Sequence, residues 1–171
     1  SHYRMIGEGK CDPNDGYVVT FPTVHDGKQA PDGKHVCGIY KMAPYDVDGD
    51  SGKWYSLKVK EEHAKGCIGL LREYVSNLSD ENIRGVYVST PAEYSGKFLD
   101  MVKGSIKQGA YLPLQMGYMR PNEHCSTHRS PIKGLYMGGA CTYPGGTVLL
   151  AGGYLAADAV VEDLGIDRWW Q

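Results

Sequence analysis

Between residues 57 and 78 the apolar positions recur at steps of three and four: Leu57, Ala64, Cys67, Ile68, Leu71, Tyr74, Val75 and Leu78. Lys58, Lys60, Glu61, Lys65, Arg72 and Glu73 fall between them, so the spacing predicts an amphipathic helix over 57–78. Shorter apolar runs read as strands. Tyr17-Val18-Val19-Thr20-Phe21 is stopped by Pro22, and His35-Val36-Cys37-Gly38-Ile39-Tyr40-Lys41-Met42 follows a turn over 29–34. The two runs are suited to an antiparallel hairpin across a long loop. Residues 83–89 read as a third strand. Thr90-Pro91-Ala92-Glu93 carries a helix start, with Thr90 as N-cap, Pro91 at the first helical position and Glu93 completing a capping box; that helix is expected to end near 102–104. Residues 104–133 show no period. Residues 134–138 read as a short buried strand and 141–146 as a turn. An apolar helix is expected over 147–164, built on Val148, Leu149, Leu155, Ala156, Ala159, Val160 and Leu164. Gly152 and Gly153 inside it each cost about 1 kcal/mol relative to Ala, which points to a close backbone approach.

Composition narrows the classes. A chain of 171 residues has about the length of one domain and enough to bury a core. Its formal net charge of −2 leaves no basic field for nucleic acid or an anionic membrane. The longest apolar runs fall short of a membrane span. Five cysteines (Cys11, Cys37, Cys67, Cys125, Cys141) form no CxxC pair, which suggests free thiols and a cytoplasmic setting. Of 23 glycines, seven fall between Gly134 and Gly153, and such local density signals a backbone requirement. The chain opens on Ser1-His2 without an initiator Met, so it is expected to be a piece of something longer.

Several motifs carry candidate chemistry. Asp46-Val47-Asp48-Gly49-Asp50 starts like a calcium loop, but Ser51 and Leu57 occupy the positions that need Gly and Glu, leaving a solvated acidic turn. His124-Cys125-Ser126-Thr127-His128 sits among prolines, with no helix to bring the two imidazoles onto one face, and reads as a polar loop rather than a metal site. Cys141 lies in a Gly-rich turn with no His tied to it by spacing, so a small packed thiol is favoured over a nucleophile. Gly7-Glu8-Gly9-Lys10-Cys11-Asp12 lacks the third glycine of a dinucleotide fingerprint.

The strongest pattern is strand, glycine-rich turn, helix: Pro131-Ile132-Lys133-Gly134-Leu135-Tyr136-Met137-Gly138-Gly139-Ala140, then Pro144-Gly145-Gly146-Thr147-Val148, then Gly152-Gly153-Tyr154-Leu155-Ala156-Ala157. Glycines there let backbone approach a flat or anionic ligand, and the helix that follows points free N–H groups and a positive dipole end at it. The whole string resembles the C-terminal signature of FAD-dependent oxidoreductases of the phytoene desaturase and carotenoid isomerase type, in which a TPIxGLYLCG strand precedes HPGGGV and a helix ending in GxNAA. Ala30-Pro31-Asp32-Gly33-Lys34-His35-Val36 and Ala43-Pro44-Tyr45 resemble the substrate-domain strand of the same family. The pattern departs at Tyr143, where the family has His, at Thr147, where it has a third Gly, and at Tyr154-Leu155, where it has an Asn-bearing step.

The resemblance implies an α+β chain. Its first region, 1–130, would be part of a substrate-binding domain, with a sheet from 17–24, 35–43 and 83–89 packed by the helix at 57–78. Its second, 131–171, would be the last strand and helix of a Rossmann-like FAD-binding domain. Gly138, Gly139 and Ala140 would lie along the ribityl-pyrophosphate of FAD, and Pro144, Gly145, Gly146, Thr147 and Val148 would border the isoalloxazine ring. No side-chain acid or base is assigned, since the flavin carries the chemistry. The resemblance further implies a C-terminal fragment, inactive alone, of a dehydrogenase, desaturase or isomerase acting on an apolar small molecule. The missing GxGxxG would come from an N-terminal FAD-binding half or subunit, and an unpaired sheet edge would favour a homodimer. The rival reading is a non-catalytic partner module with a residual flavin motif.

Overall fold

The computed structural model describes residues 2–12, 16–110, 112–146, 149–168 and 170. The chain divides into two compact units, Ser1–Lys97 and Phe98–Gln171. In the first, helix α1 (His2–Gly7) precedes strands β1 (Tyr17–Thr20) and β2 (Gly38–Lys41). The strands pair antiparallel, with Tyr17 opposite Lys41 and Thr20 opposite Gly38, as the two β-rich runs predict. Pro22 ends β1 in a 3-10 turn. The long connection is tied back by Thr23, whose Oγ1 bonds His35 Nδ1 at 3.0 Å.

Helix α2 (Leu57–Leu71) begins where the pattern places it but stops seven residues before Leu78. Arg72 Nε instead donates to the Leu78 carbonyl at 2.8 Å, and the segment between folds back in turns, leaving Tyr74 exposed. Helix α3 (Pro91–Lys97) forms with the expected capping box and is shorter than expected. The Glu93 carboxylate accepts from Thr90 N at 3.0 Å and from Thr90 Oγ1 at 3.2 Å. Glu93 also pairs with Lys60, which joins α3 to α2.

The core of this unit is small: Trp54, Leu71 and Ala92, with buried Thr23 and Thr90. Trp54 lies on a short 3-10 segment whose N-cap, Asp50, accepts from Gly52 N at 2.7 Å. That capping bond and an Asp48–Lys53 ion pair account for the acidic turn. Residues 83–89 do not form the third strand: they pair with no strand among the described residues, and Val86 and Tyr87 are exposed.

In the second unit, helix α4 (Ala151–Leu164) is preceded by turns and short 3-10 segments. The expected helix start at Thr147 and Val148 lies outside the described residues, and the helix begins at Ala151. It closes on Gly165, in the left-handed region at φ +64°, whose N–H reaches the Glu162 carbonyl while Ile166 N–H reaches that of Val161. The expected strand at 134–138 is reduced to one bridge between Arg129 and Tyr136. Both of those side chains reach Asp163 on α4, Arg129 Nη2 at 2.8 Å and Tyr136 Oη at 2.9 Å. No helix among the described residues is long and apolar enough to cross a membrane.

Candidate functional site

The loop over 138–146 lies close against the start of α4, where a Cβ on Gly152 would stand 2.7 Å from the Gly139 carbonyl oxygen. Gly139 adopts φ +94° and Gly145 φ +95°, conformations that glycine takes without strain. Thr142, fully buried, donates through Oγ1 to the Gly139 carbonyl at 2.9 Å. Gly145 N–H then donates to the Thr142 carbonyl at 2.7 Å. These bonds fold the loop into consecutive tight turns. A Cβ on Gly138 would meet the Gly152 carbonyl and the Ala156 methyl at ordinary contact distance. Around Gly139, by contrast, the space a side chain would fill is open to 4 Å. The N-cap residue of α4, Leu150, makes no side-chain capping bond. An exposed glycine backbone beside such a helix end suits a flat or anionic group.

At Gly146 the loop is closed. A Cβ on Gly146 would stand 2.9 Å from the Ala140 methyl and 3.2 Å from Lys107 Cα. Gly138, Gly139, Ala140, Pro144, Gly145 and Gly146 are thus brought into one loop, whereas Thr147 and Val148 lie outside the described residues.

The other candidates do not assemble. Cys141 Sγ lies 3.7 Å from the Gly138 carbonyl, half-buried. His128 is buried, with Nδ1 3.0 Å from the Met137 carbonyl, so Nδ1 carries the hydrogen. His124 is exposed beside Glu123. No group of three or more His, Cys, Asp or Glu among the described residues could hold a metal ion.

Sequence comparison decides the family. The chain is 39% identical over 173 residues to one of the subunits of limonene dehydrogenase from Castellaniella defragrans, covering 99% of this chain and 31% of that protein. It is 30% identical to pyridine nucleotide-disulfide oxidoreductase domain-containing protein 2 of Rattus norvegicus, over 85% of this chain and 25% of that one. It is 28% identical to the chloroplastic prolycopene isomerase of Arabidopsis thaliana, over 92% of this chain and 26% of that one. The chain belongs to the oxidoreductases of the phytoene desaturase and carotenoid isomerase type. No family model matches it. No solved structure matches it either. It spans between a quarter and a third of the length of these curated relatives.

Within this oxidoreductase chain the residue that sequence reasoning passed over is Arg120. It is only 1% exposed. Its guanidinium donates to the carbonyls of Lys107, Gln108, Ala110, Gln115 and Ala140, at 2.5 to 3.4 Å. Four of those acceptors, Lys107, Gln108, Ala110 and Gln115, come from a stretch without apolar periodicity, so the sequence pattern gives no signal for the cage. The available hint was an arginine followed by proline inside an irregular segment, just upstream of the signature.

Proposed function

We propose that this chain forms the flavin-ring side and part of the substrate side of an FAD-dependent oxidoreductase, dehydrogenase, desaturase or isomerase, acting on an apolar small molecule. Its kinship over 99% of its length with the limonene dehydrogenase polypeptide carries the reading. Two of the relatives' names carry hydrocarbons, limonene and prolycopene, which favours an apolar substrate.

The loop fits such a cofactor. The open side of Gly139 leaves room for the ribityl-pyrophosphate, and Ala140, whose carbonyl Arg120 holds, continues that edge. The family resemblance assigns Pro144, Gly145 and Gly146, with Thr147 and Val148 next in sequence, to the border of the ring. Bound FAD supplies the hydride acceptor; these residues bind and orient it.

Completion by an N-terminal FAD-binding half or subunit is part of the proposal. Leu99, Leu114, Leu149 and Leu150 are among the large apolar side chains left exposed, which favours a chain that is covered when at work. That the limonene dehydrogenase relative is itself named as one subunit points the same way. Five free thiols suit the reducing cytoplasm.

The test is FAD fluorescence quenching on titration, first with this chain alone and then together with a candidate half that carries GxGxxG. Quenching that needs both supports the proposal. No quenching in either case overturns it and leaves a partner module with a residual flavin motif.

A further inference from the structure

We propose that Arg120 is a positioning residue whose carbonyl cage sets a second wall of the flavin site, the segment 106–109, against the loop. The inference rests on the reading that residues 138–146 border FAD. Arg120 is 1% exposed, and a guanidinium is costly to bury unless its N–H groups are satisfied. Here the acceptors come from two directions. Lys107, Gln108, Ala110 and Gln115 supply carbonyls from the upstream segment. Ala140 supplies one from the loop and is gripped twice, by Nε at 3.2 Å and Nη2 at 2.7 Å.

The upstream segment is bent to serve this cage. Gln108 at φ +49° and Gly109 at φ +113° are consecutive residues in the left-handed region, which turns their neighbours' carbonyls onto one point. The planar fork of an arginine can satisfy such a divergent set; the compact ammonium of a lysine cannot.

The cage has a geometric consequence at the loop. A Cβ at position 146 would stand 2.9 Å from the Ala140 methyl, 3.2 Å from Lys107 Cα and 3.4 Å from the Ile106 carbonyl oxygen, so it would crowd the loop itself and the facing backbone of 106–107 together. Segment 106–109 therefore lies backbone to backbone against the part of the loop assigned to the flavin ring. It carries one large apolar side chain, Ile106, which is 57% exposed. The cage thus fixes both the loop edge at Ala140 and the facing wall at 106–107.

The experiment uses the complete flavoprotein, this chain together with its FAD-binding half, and reads hydrogen exchange with and without FAD. FAD is expected to slow exchange at the amides of 106–109 along with those of 138–146. Protection at 138–146 alone overturns the second wall. Absence of protection at both, with no FAD bound by the wild type, instead overturns the flavin reading on which it rests.

Variants then test the cage itself. Arg120→Met and Gly146→Ala are each expected to raise the FAD Kd by about tenfold and shift the flavin absorption bands. Arg120→Lys is expected to fall between Arg120→Met and wild type. Unchanged Kd and bands in folded variants, with only a lower Tm, overturn the positioning role. Should the Arg120 variants fail to fold, Gly146→Ala, which keeps the guanidinium and presses apart the same two segments, decides with the exchange data.

Discussion

Gly152 stands so close to Gly139 that a Cβ at position 152 would lie 2.7 Å from the Gly139 carbonyl oxygen and 2.9 Å from Thr142 Oγ1. One residue on, Gly153 has nothing within 4 Å of that direction. Helix propensity alone favours Ala at both positions by about 1 kcal/mol. Gly153→Ala is therefore expected to be neutral or to stabilise by up to about 1 kcal/mol. Gly152→Ala is expected to destabilise by about 1–3 kcal/mol through overpacking. Urea unfolding followed by far-UV circular dichroism compares the two; equal effects would contradict the close approach.

Removing the α3 cap tests the local logic of the first unit. Thr90 is 1% exposed and its Oγ1 exchanges hydrogen bonds with Glu93. Thr90→Ala is expected to cost about 1 kcal/mol, within the usual range for caps. Thr90→Ser, which keeps the hydroxyl, is expected to retain most of that. The denaturation midpoints of the pair against wild type give the answer.

Trp54 is the anchor of the first unit's core. Its Nε1 donates to the carbonyls of Pro44 at 3.0 Å and Tyr45 at 3.1 Å. Trp54→Phe removes ring volume and leaves both carbonyls without that donor, and is expected to cost about 2 kcal/mol. The adjacent Tyr55 is largely exposed, but its Oη donates to the Ala92 carbonyl at 3.3 Å, so Tyr55→Phe is expected to cost about 0.5–1 kcal/mol, less than Trp54→Phe. Chemical denaturation of both variants checks the contrast.

Acid is expected to weaken the first unit in two stages. His63, its ring 5.3 Å from that of Trp54, is held below the usual imidazole range by burial and then by the Lys41 charge. Its contribution is therefore full above about pH 6.5 and is lost as pH falls through the lower folded value, because the unfolded chain takes the proton first. Burial pushes the Glu93 carboxyl up, but the bonds from Lys60 and Thr90 outweigh it and hold the group below the usual range. That contribution is full above about pH 4.3 and fades as pH falls further. Urea midpoints measured down the pH scale should show His63→Gln blunting the first stage and Glu93→Gln the second. A profile unchanged by either substitution would contradict these assignments.

Where sequence and structure agree, local signals were decisive. The box at Thr90 and Glu93 lies within four residues, and the hairpin of β1 and β2 needs only two β-rich runs and a connection. Where they differ, the outcome depended on partners that periodicity does not show. Tyr74, Val75 and Leu78 continue the spacing of α2, yet the Arg72 bond to Leu78 turns the chain away. Residues 83–89 have a strand's composition, but a strand needs a neighbour's N–H and C=O groups, and none pairs with them among the described residues. At the candidate site the glycines were legible because backbone demand restricts residue type directly. Arg120 was not, because a cage made of carbonyls leaves no trace in the identities of Lys107, Gln108 or Ala110.

The apolar side chains left in water carry a consequence for dosage. Val86, Tyr87, Leu149 and Leu150 are exposed in the folded chain, and exposed apolar side chains are what chaperones and proteases recognise in unfolded ones. Copies made in excess of whatever covers these residues would be cleared as if misfolded. Under the proposed completion by a separate FAD-binding half, cellular abundance of this chain would then follow the supply of that half rather than its own rate of synthesis.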